Sequence, residues 1–186
     1  MKLSNKIKII SASLAALVLM SCVVGFTVAY IQEVSNGVSN TFVAGAVEVT
    51  LNEEFDGTVK KNVNVKNDGD TVSYVRIQLA SYRVNEAGEK IAGASAVPDF
   101  TPGEGWLDFG NDCYVYADPV APNASPAAAL IGDSGITLVS YSDEDGGKQV
   151  IEVVAEAIQA SPVKAVKEAW NAEVKSGAIT GRKAEK

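Results

Sequence analysis

Two neighbouring stretches alternate apolar and polar residues so regularly that they leave little besides extended chain. In Thr58–Asn67, Val59, Val63 and Val65 fall on one side of a strand, with Lys60, Asn62, Asn64 and Lys66 on the other. In Val72–Val84, Val75, Ile77 and Leu79 oppose Tyr74, Arg76, Gln78 and Tyr82. Side chains of a strand alternate between its faces, so a period of two buries one face and wets the other. The turn-forming Asp68-Gly69-Asp70 between the runs predicts that they pair as a β-hairpin. Lys61 lies on the inward parity, which places it at the rim of the sheet or before the strand begins.

A third run, Gln149–Gln159 (QVIEVVAEAIQ), lies between the acidic turn Asp143-Glu144-Asp145-Gly146-Gly147 and Ser161-Pro162. As a strand it puts Ile151, Val153, Ala155 and Ala157 on one face, and Val150, Val154 and Ile158 on the other with Glu152 and Glu156. As a helix it would carry Ile151, Val154, Ala155 and Ile158 in one stripe. The β-branched first half favours the strand. Shorter strands are expected at Thr41–Asn52, Trp106–Phe109, Cys113–Ala117 and Ile136–Val139. In the first of these Val43, Val47, Val49 and Leu51 share a face, Gly45 marks a bend, and Glu53–Gly57 forms the closing turn. Asn85–Glu104 reads as a long loop, either a mobile insertion or a binding loop. From Pro162 to about Val174 the spacing of Val163, Val166 and Trp170 predicts a short helix capped by Ser161. The remainder, 175–186, reads as a frayed tail.

The first residues have a different character. Lys2, Lys6 and Lys8 precede a mostly apolar run, Ile9–Val28, and Thr27-Val28-Ala29 puts a small residue before Tyr30. This is the pattern of a secretory signal cut between Ala29 and Tyr30. Leu19-Met20-Ser21-Cys22 offers lipidation as an alternative, and the run is long enough to span a bilayer as an uncleaved anchor. Contact with the membrane is otherwise not expected. Residues 30–40 form a polar leader with scattered apolar side chains, and 41–174 the expected domain.

Composition narrows the chemistry. A net charge of −7 argues against nucleic acid as a partner. There is no histidine in the chain, so neither imidazole acid–base chemistry nor a conventional protease zinc site can be built. Cys113 lacks the usual base of a cysteine nucleophile and reads as a small buried hydrophobe. No serine sits in Gly-x-Ser-x-Gly. No cofactor is expected. The acidic turns at Asp68/Asp70, Asp108/Asp112 and Asp143–Asp145 could attract calcium only weakly, because none has the spacing of a dedicated loop. Tyr74, Tyr82, Tyr114 and Tyr116 read as a half-covered sheet face, or as a surface for carbohydrate or a partner.

Several stretches carry a resemblance. They include Ala29-Tyr30, Asn40-Thr41-Phe42, Gly45-Ala46-Val47 and Leu51-Asn52-Glu53 in the first part of the chain. Further on come the Val-x-Val-x-Asn-x-Gly of residues 63–69 with Tyr74-Val75-Arg76-Ile77, and Tyr114-Val115-Tyr116 with Pro119-Val120-Ala121-Pro122. Ala155–Ser161 and Lys167–Trp170 extend it. As a set they resemble the TasA/camelysin family of proteins exported by Gram-positive bacteria. The resemblance implies an all-β, jelly-roll-like β-sandwich with a short C-terminal helix, preceded by a signal peptide. It also implies export through a SipW-type signal peptidase and a secreted place on the cell surface or in the biofilm matrix. Self-association, or association with related matrix proteins, would follow through a donor segment. Here that segment is the leader, with Tyr30, Ile31, Val34 and Val38. A monomeric surface adhesin is the alternative. The peptidase activity attributed to camelysin finds no support in a chain without histidine.

Overall fold

The computed structural model describes residues 47–183. The leader and the cleavage positions lie outside them. The described chain is all-β with one short helix. Strand β1 (Val49–Phe55) turns at Asp56-Gly57 into β2 (Val59–Asn67), whose far side pairs with β7 (Ile136–Thr137). The turn is held by Asp56 Oδ1, which accepts the N–H groups of Thr58 and Val59 at 2.9 and 2.7 Å. Those bonds hold the Asp56 carboxyl below its ordinary pKa. The second sheet is built on β3 (Ser73–Val84). On one side β3 pairs along its whole length with β8 (Lys148–Gln159). On the other side it pairs with β6 (Cys113–Tyr116) and β4 (Lys90–Ile91), and β5 (Trp106–Asp108) continues outward from β6.

Strands β2 and β3 therefore do not form the hairpin that their alternation predicts. Both flanks of β2 are taken, one by β1 and the other by β7 and the chain around Ala124 and Leu130-Ile131. Asn67 carries the crossing to the other sheet. Fully buried, it donates from Nδ2 to the carbonyls of Thr71 and Val120 at 2.8 and 2.9 Å, and its Oδ1 accepts the Gly69 N–H. From Val63 onward the alternation does identify the faces correctly, whereas Val59 and Lys60, read as inward and outward, exchange those roles before the bulge at Asn62. Val63 and Val65 from one sheet and Val75, Ile77 and Leu79 from the other fill a common core. Each such side chain stabilises the fold by roughly 1.5–3 kcal/mol on burial.

The start of β2 departs from simple parity. Asn62 has φ of 53°, and Asn62 and Val63 together oppose Glu53, which makes a β-bulge. The extra residue swings Lys60 inward instead of Lys61. Lys60 is buried, its Nζ 2.7 Å from Glu53 Oε2 and 5.5 Å from the centre of the Phe55 ring. β1 itself begins only at Val49 and runs on through Glu53–Phe55, where a turn was expected, and Val47 is exposed.

The third run is a strand. Ile151, Val153, Ala155 and Ala157 pack on the main core, while Glu152, Val154 and Glu156 are exposed. Strand β6 presents Tyr114 and Tyr116 to that core and Val115 to the opposite face. The opposite face is covered by the C-terminal part of the chain. Helix α1 (Val163–Ala169) is followed by a hairpin of β9 (Ala172–Lys175) and β10 (Ala178–Arg182). Helix α1 stops well short of Val174 because Asn171, at φ of 51°, turns the chain out of the helix. Pro162 takes the N-cap position and no side chain caps the helix, so Ser161 does not serve as its cap. Residues 175–182, expected to fray, complete the hairpin through Ser176 and Gly177, both at positive φ as a tight primed turn requires. Tyr74, Phe109, Val115, Val166, Trp170, Ala172 and Ile179 form the second core beneath it.

Candidate assembly interface

The long strand β8 has one partner among the described residues apart from its first two positions. Its hydrogen-bond phase follows from four contacts. The Ala160 N–H donates to the Val72 carbonyl at 2.9 Å, which fixes Val72 and Ala160 as a bonded pair. In an antiparallel ladder bonded and non-bonded pairs alternate, so Glu152, Val154, Glu156 and Ile158 bond to β3. Ser73 and Leu79, of the other parity on β3, point away from β8 to Val120 and Asp112. Gln149, of the other parity on β8, likewise turns away from β3 and donates to Val139 at 2.8 Å. The main-chain N–H and C=O groups of Ile151, Val153, Ala155, Ala157 and Gln159 therefore all face outward along one edge.

Among the described residues no strand is hydrogen-bonded to that edge, and β1 runs close beside it. Beside it lie half-buried apolar side chains, Val153, Ala155 and Ala157 of β8 and Val49 and Leu51 of β1, packed against the main core. An added strand would place alternate side chains next to them. On the face of β8 turned away from the main core, Glu152 and Glu156 are exposed beyond the part that the C-terminal segment covers, charges of the kind that discourage indiscriminate edge pairing. Glu156 is partly neutralised, because Arg76 Nε and Nη2 donate to its Oε2 at 2.9 and 2.6 Å. The edge of β1 is a poorer acceptor, only seven residues long against the twelve of β8.

The entry to β8 is tied down by buried polar groups. Arg83 lies 3.5 Å from the centre of the Tyr141 ring and donates to Asp143 at 2.6 Å and to the Ala94 carbonyl at 2.8 Å. The guanidinium holds the Asp143 carboxyl below its usual range. Gln149, also buried, donates from Nε2 to Ser81 Oγ and to the Ala96 carbonyl at 2.8 and 2.7 Å, and accepts the Val139 N–H. The segment 85–104 is thereby anchored at Ala94–Ala96, while Val97 and Phe100 pack on the main core. The segment read from sequence as either a mobile insertion or a binding loop is thus packed against the main core.

The other residues singled out by sequence are scattered. Ala29, Tyr30, Ile31, Val34 and Val38 lie outside the described residues. Cys113 is half-buried in β6, where burial pushes its thiol pKa up against the pull of Arg76. Tyr74, Tyr114 and Tyr116 are buried and do not form an exposed surface; of the four only Tyr82 stays partly open, under the Lys90 ammonium. The acidic turns are engaged singly. Asp68 pairs with Lys66, Asp108 accepts the Gly110 N–H at 2.6 Å, and Asp143 pairs with Arg83. Among the described residues no three carboxylates or thiols converge as a metal site. No described helix is long and apolar enough to cross a membrane. No protein-family model, curated protein or solved structure matches the chain.

Proposed function

We propose that this chain is an exported, non-catalytic structural protein of the cell surface or biofilm matrix of a Gram-positive bacterium. In this reading the two sheets are the layers of a jelly-roll-like β-sandwich, and the signal peptide ends at Ala29. The leader of one copy, with Tyr30, Ile31, Val34 and Val38, adds as a strand to the β8 edge of the next. The observation that carries the reading is the single-phase row of outward main-chain groups from Ile151 to Gln159. Strand addition draws its affinity from such groups, each hydrogen bond contributing about 1 kcal/mol net.

The dimensions support it. An extended leader of residues 30–40 spans about 35 Å, at roughly 3.3 Å per residue, close to the length of the twelve-residue β8. Ile31, Val34 and Val38 do not alternate cleanly, so main-chain bonding rather than side-chain pockets dominates the contact. The absence of histidine from the sequence supports a non-catalytic role. Electron microscopy of the chain beginning at Tyr30, beside one beginning at Thr41, tests the reading. Filaments from the first and folded monomers from the second are expected. Folded monomers from both would overturn strand donation and favour a monomeric adhesin.

A further inference from the structure

The chain contains three arginines. Arg83 is consumed in the buried pair with Asp143, and the other two, Arg76 on β3 and Arg182 on β10, line one cleft. The cleft has a volume of about 230 Å³ and lies between the covered face of the larger sheet and the C-terminal segment. Trp170 and Phe109 form apolar walls, and the Arg76 guanidinium sits 4.8 Å from the centre of the Trp170 ring. Two guanidiniums lining one cleft in a chain of net charge −7 is an arrangement that general surface composition does not explain.

Both retain donor capacity. Arg76 directs Nε and Nη2 at Glu156, which leaves Nη1. Arg182 directs Nη1 at the Phe109 carbonyl at 3.1 Å, which leaves Nε and Nη2, and it has no ion-pair partner among the described residues. A guanidinium fork matches a planar carboxylate, and the free Nε/Nη2 edge of Arg182, with Arg76 Nη1 beside the aromatic wall, gives an oriented site for one. A phosphate dianion is a worse fit. The nearby backbone amides are already taken, Gly110 N by Asp108 and Cys113 N by the Gly110 carbonyl, and Glu156 adds local negative charge. A cleft of this volume has room for a single small ring or short chain.

We propose that this cleft binds one carboxylate-bearing small molecule of about monosaccharide size, held by Arg182 and Arg76 against Trp170, with Glu156 as the internal carboxylate that it displaces. The site is independent of strand assembly and does not rest on that reading.

Titration of the full chain with sodium glucuronate, followed by the indole N–H signals in a proton–nitrogen NMR spectrum, tests the site. The Trp170 signal and the Arg182 Nε–H signal should shift saturably, while Trp106, buried in the main core, should not. Sodium chloride at equal ionic strength should produce no saturable shift. Arg182→Gln should weaken binding at least tenfold. Glu156→Gln should tighten it several-fold, a change that damage to the fold would not produce. The proposal is overturned if glucuronate gives no saturable shift, if phosphate saturates the site and glucuronate does not, or if Glu156→Gln fails to tighten binding.

Discussion

The Ala160 N–H donates to the Val72 carbonyl at 2.9 Å, and this one contact sets the phase of the whole β3–β8 ladder. Because of it, the residues of β8 whose side chains pack on the main core are also those whose main chain faces outward. An accepting strand would thus meet apolar side chains and unused hydrogen-bonding groups along the same line.

Proline separates the two phases. Val153→Pro removes an outward N–H and spares every bond to β3, as proline on an edge strand can. Val154→Pro removes a bond to β3. Urea denaturation should show the second variant the less stable by about 1–3 kcal/mol. Filament formation should be lost in the first while it remains folded. Equal destabilisation would contradict the phase.

Core and rim should respond differently to truncation. Ile77→Ala leaves a cavity between the sheets and should cost about 2–5 kcal/mol. Phe55, half-exposed at 52%, should cost far less when replaced by alanine, about 1 kcal/mol or below, including its contact with the Lys60 ammonium. Chemical denaturation of both variants checks the ranking.

The C-terminal hairpin is part of the fold. A chain stopped after Lys175 loses β10, exposes the second core around Tyr74 and Trp170, and forfeits the hydrogen bond from the Tyr74 hydroxyl to the Gly177 carbonyl at 2.7 Å. Its denaturation midpoint should fall clearly. An unchanged midpoint would mean that these residues contribute no packing.

Acid should loosen the entry to β8. Asp143 has its pKa lowered chiefly by its hydrogen bond to Arg83. A carboxyl depressed in the folded state adds stability above its unfolded pKa of about 4, and this is lost as pH falls through the folded value. Amide exchange in residues 141–147 should therefore accelerate as pH drops below about 4, after correction for intrinsic exchange. Asp143→Asn should show the faster exchange already at neutral pH and lose the acid dependence.

Periodicity in the sequence was enough to locate the three long strands and the inward faces of β3 and β8, since burying Val75, Ile77 and Ile151 demands those faces. It could not assign partners. Asn67 sends the chain across to the other sheet through bonds to Thr71 and Val120, and one of these acceptors is distant in sequence. The bulge at Asn62 was equally hidden, because asparagine at positive φ is a local choice that reverses parity without altering composition. The C-terminal hairpin was more legible than the expected tail allowed. Ser176-Gly177 lies between short runs that carry Val174 and Ile179, and the helical spacing of Val163, Val166 and Trp170 drew the helix too far. The phase of the β8 edge was beyond sequence, since it depends on which of two equivalent ladders the Val72–Ala160 contact selects. That Arg76 and Arg182 line one cleft depends on the C-terminal hairpin folding back over β3.

Hydrogen exchange along β8, resolved residue by residue, tests the central claim most directly. Before assembly the amides of Ile151, Val153, Ala155 and Ala157 should exchange quickly, while those of Glu152, Val154 and Glu156 are protected. On assembly the first set should become protected as well. Uniform protection of both sets in the monomer, or no change in the first set once filaments form, would contradict an open edge that accepts a donor strand.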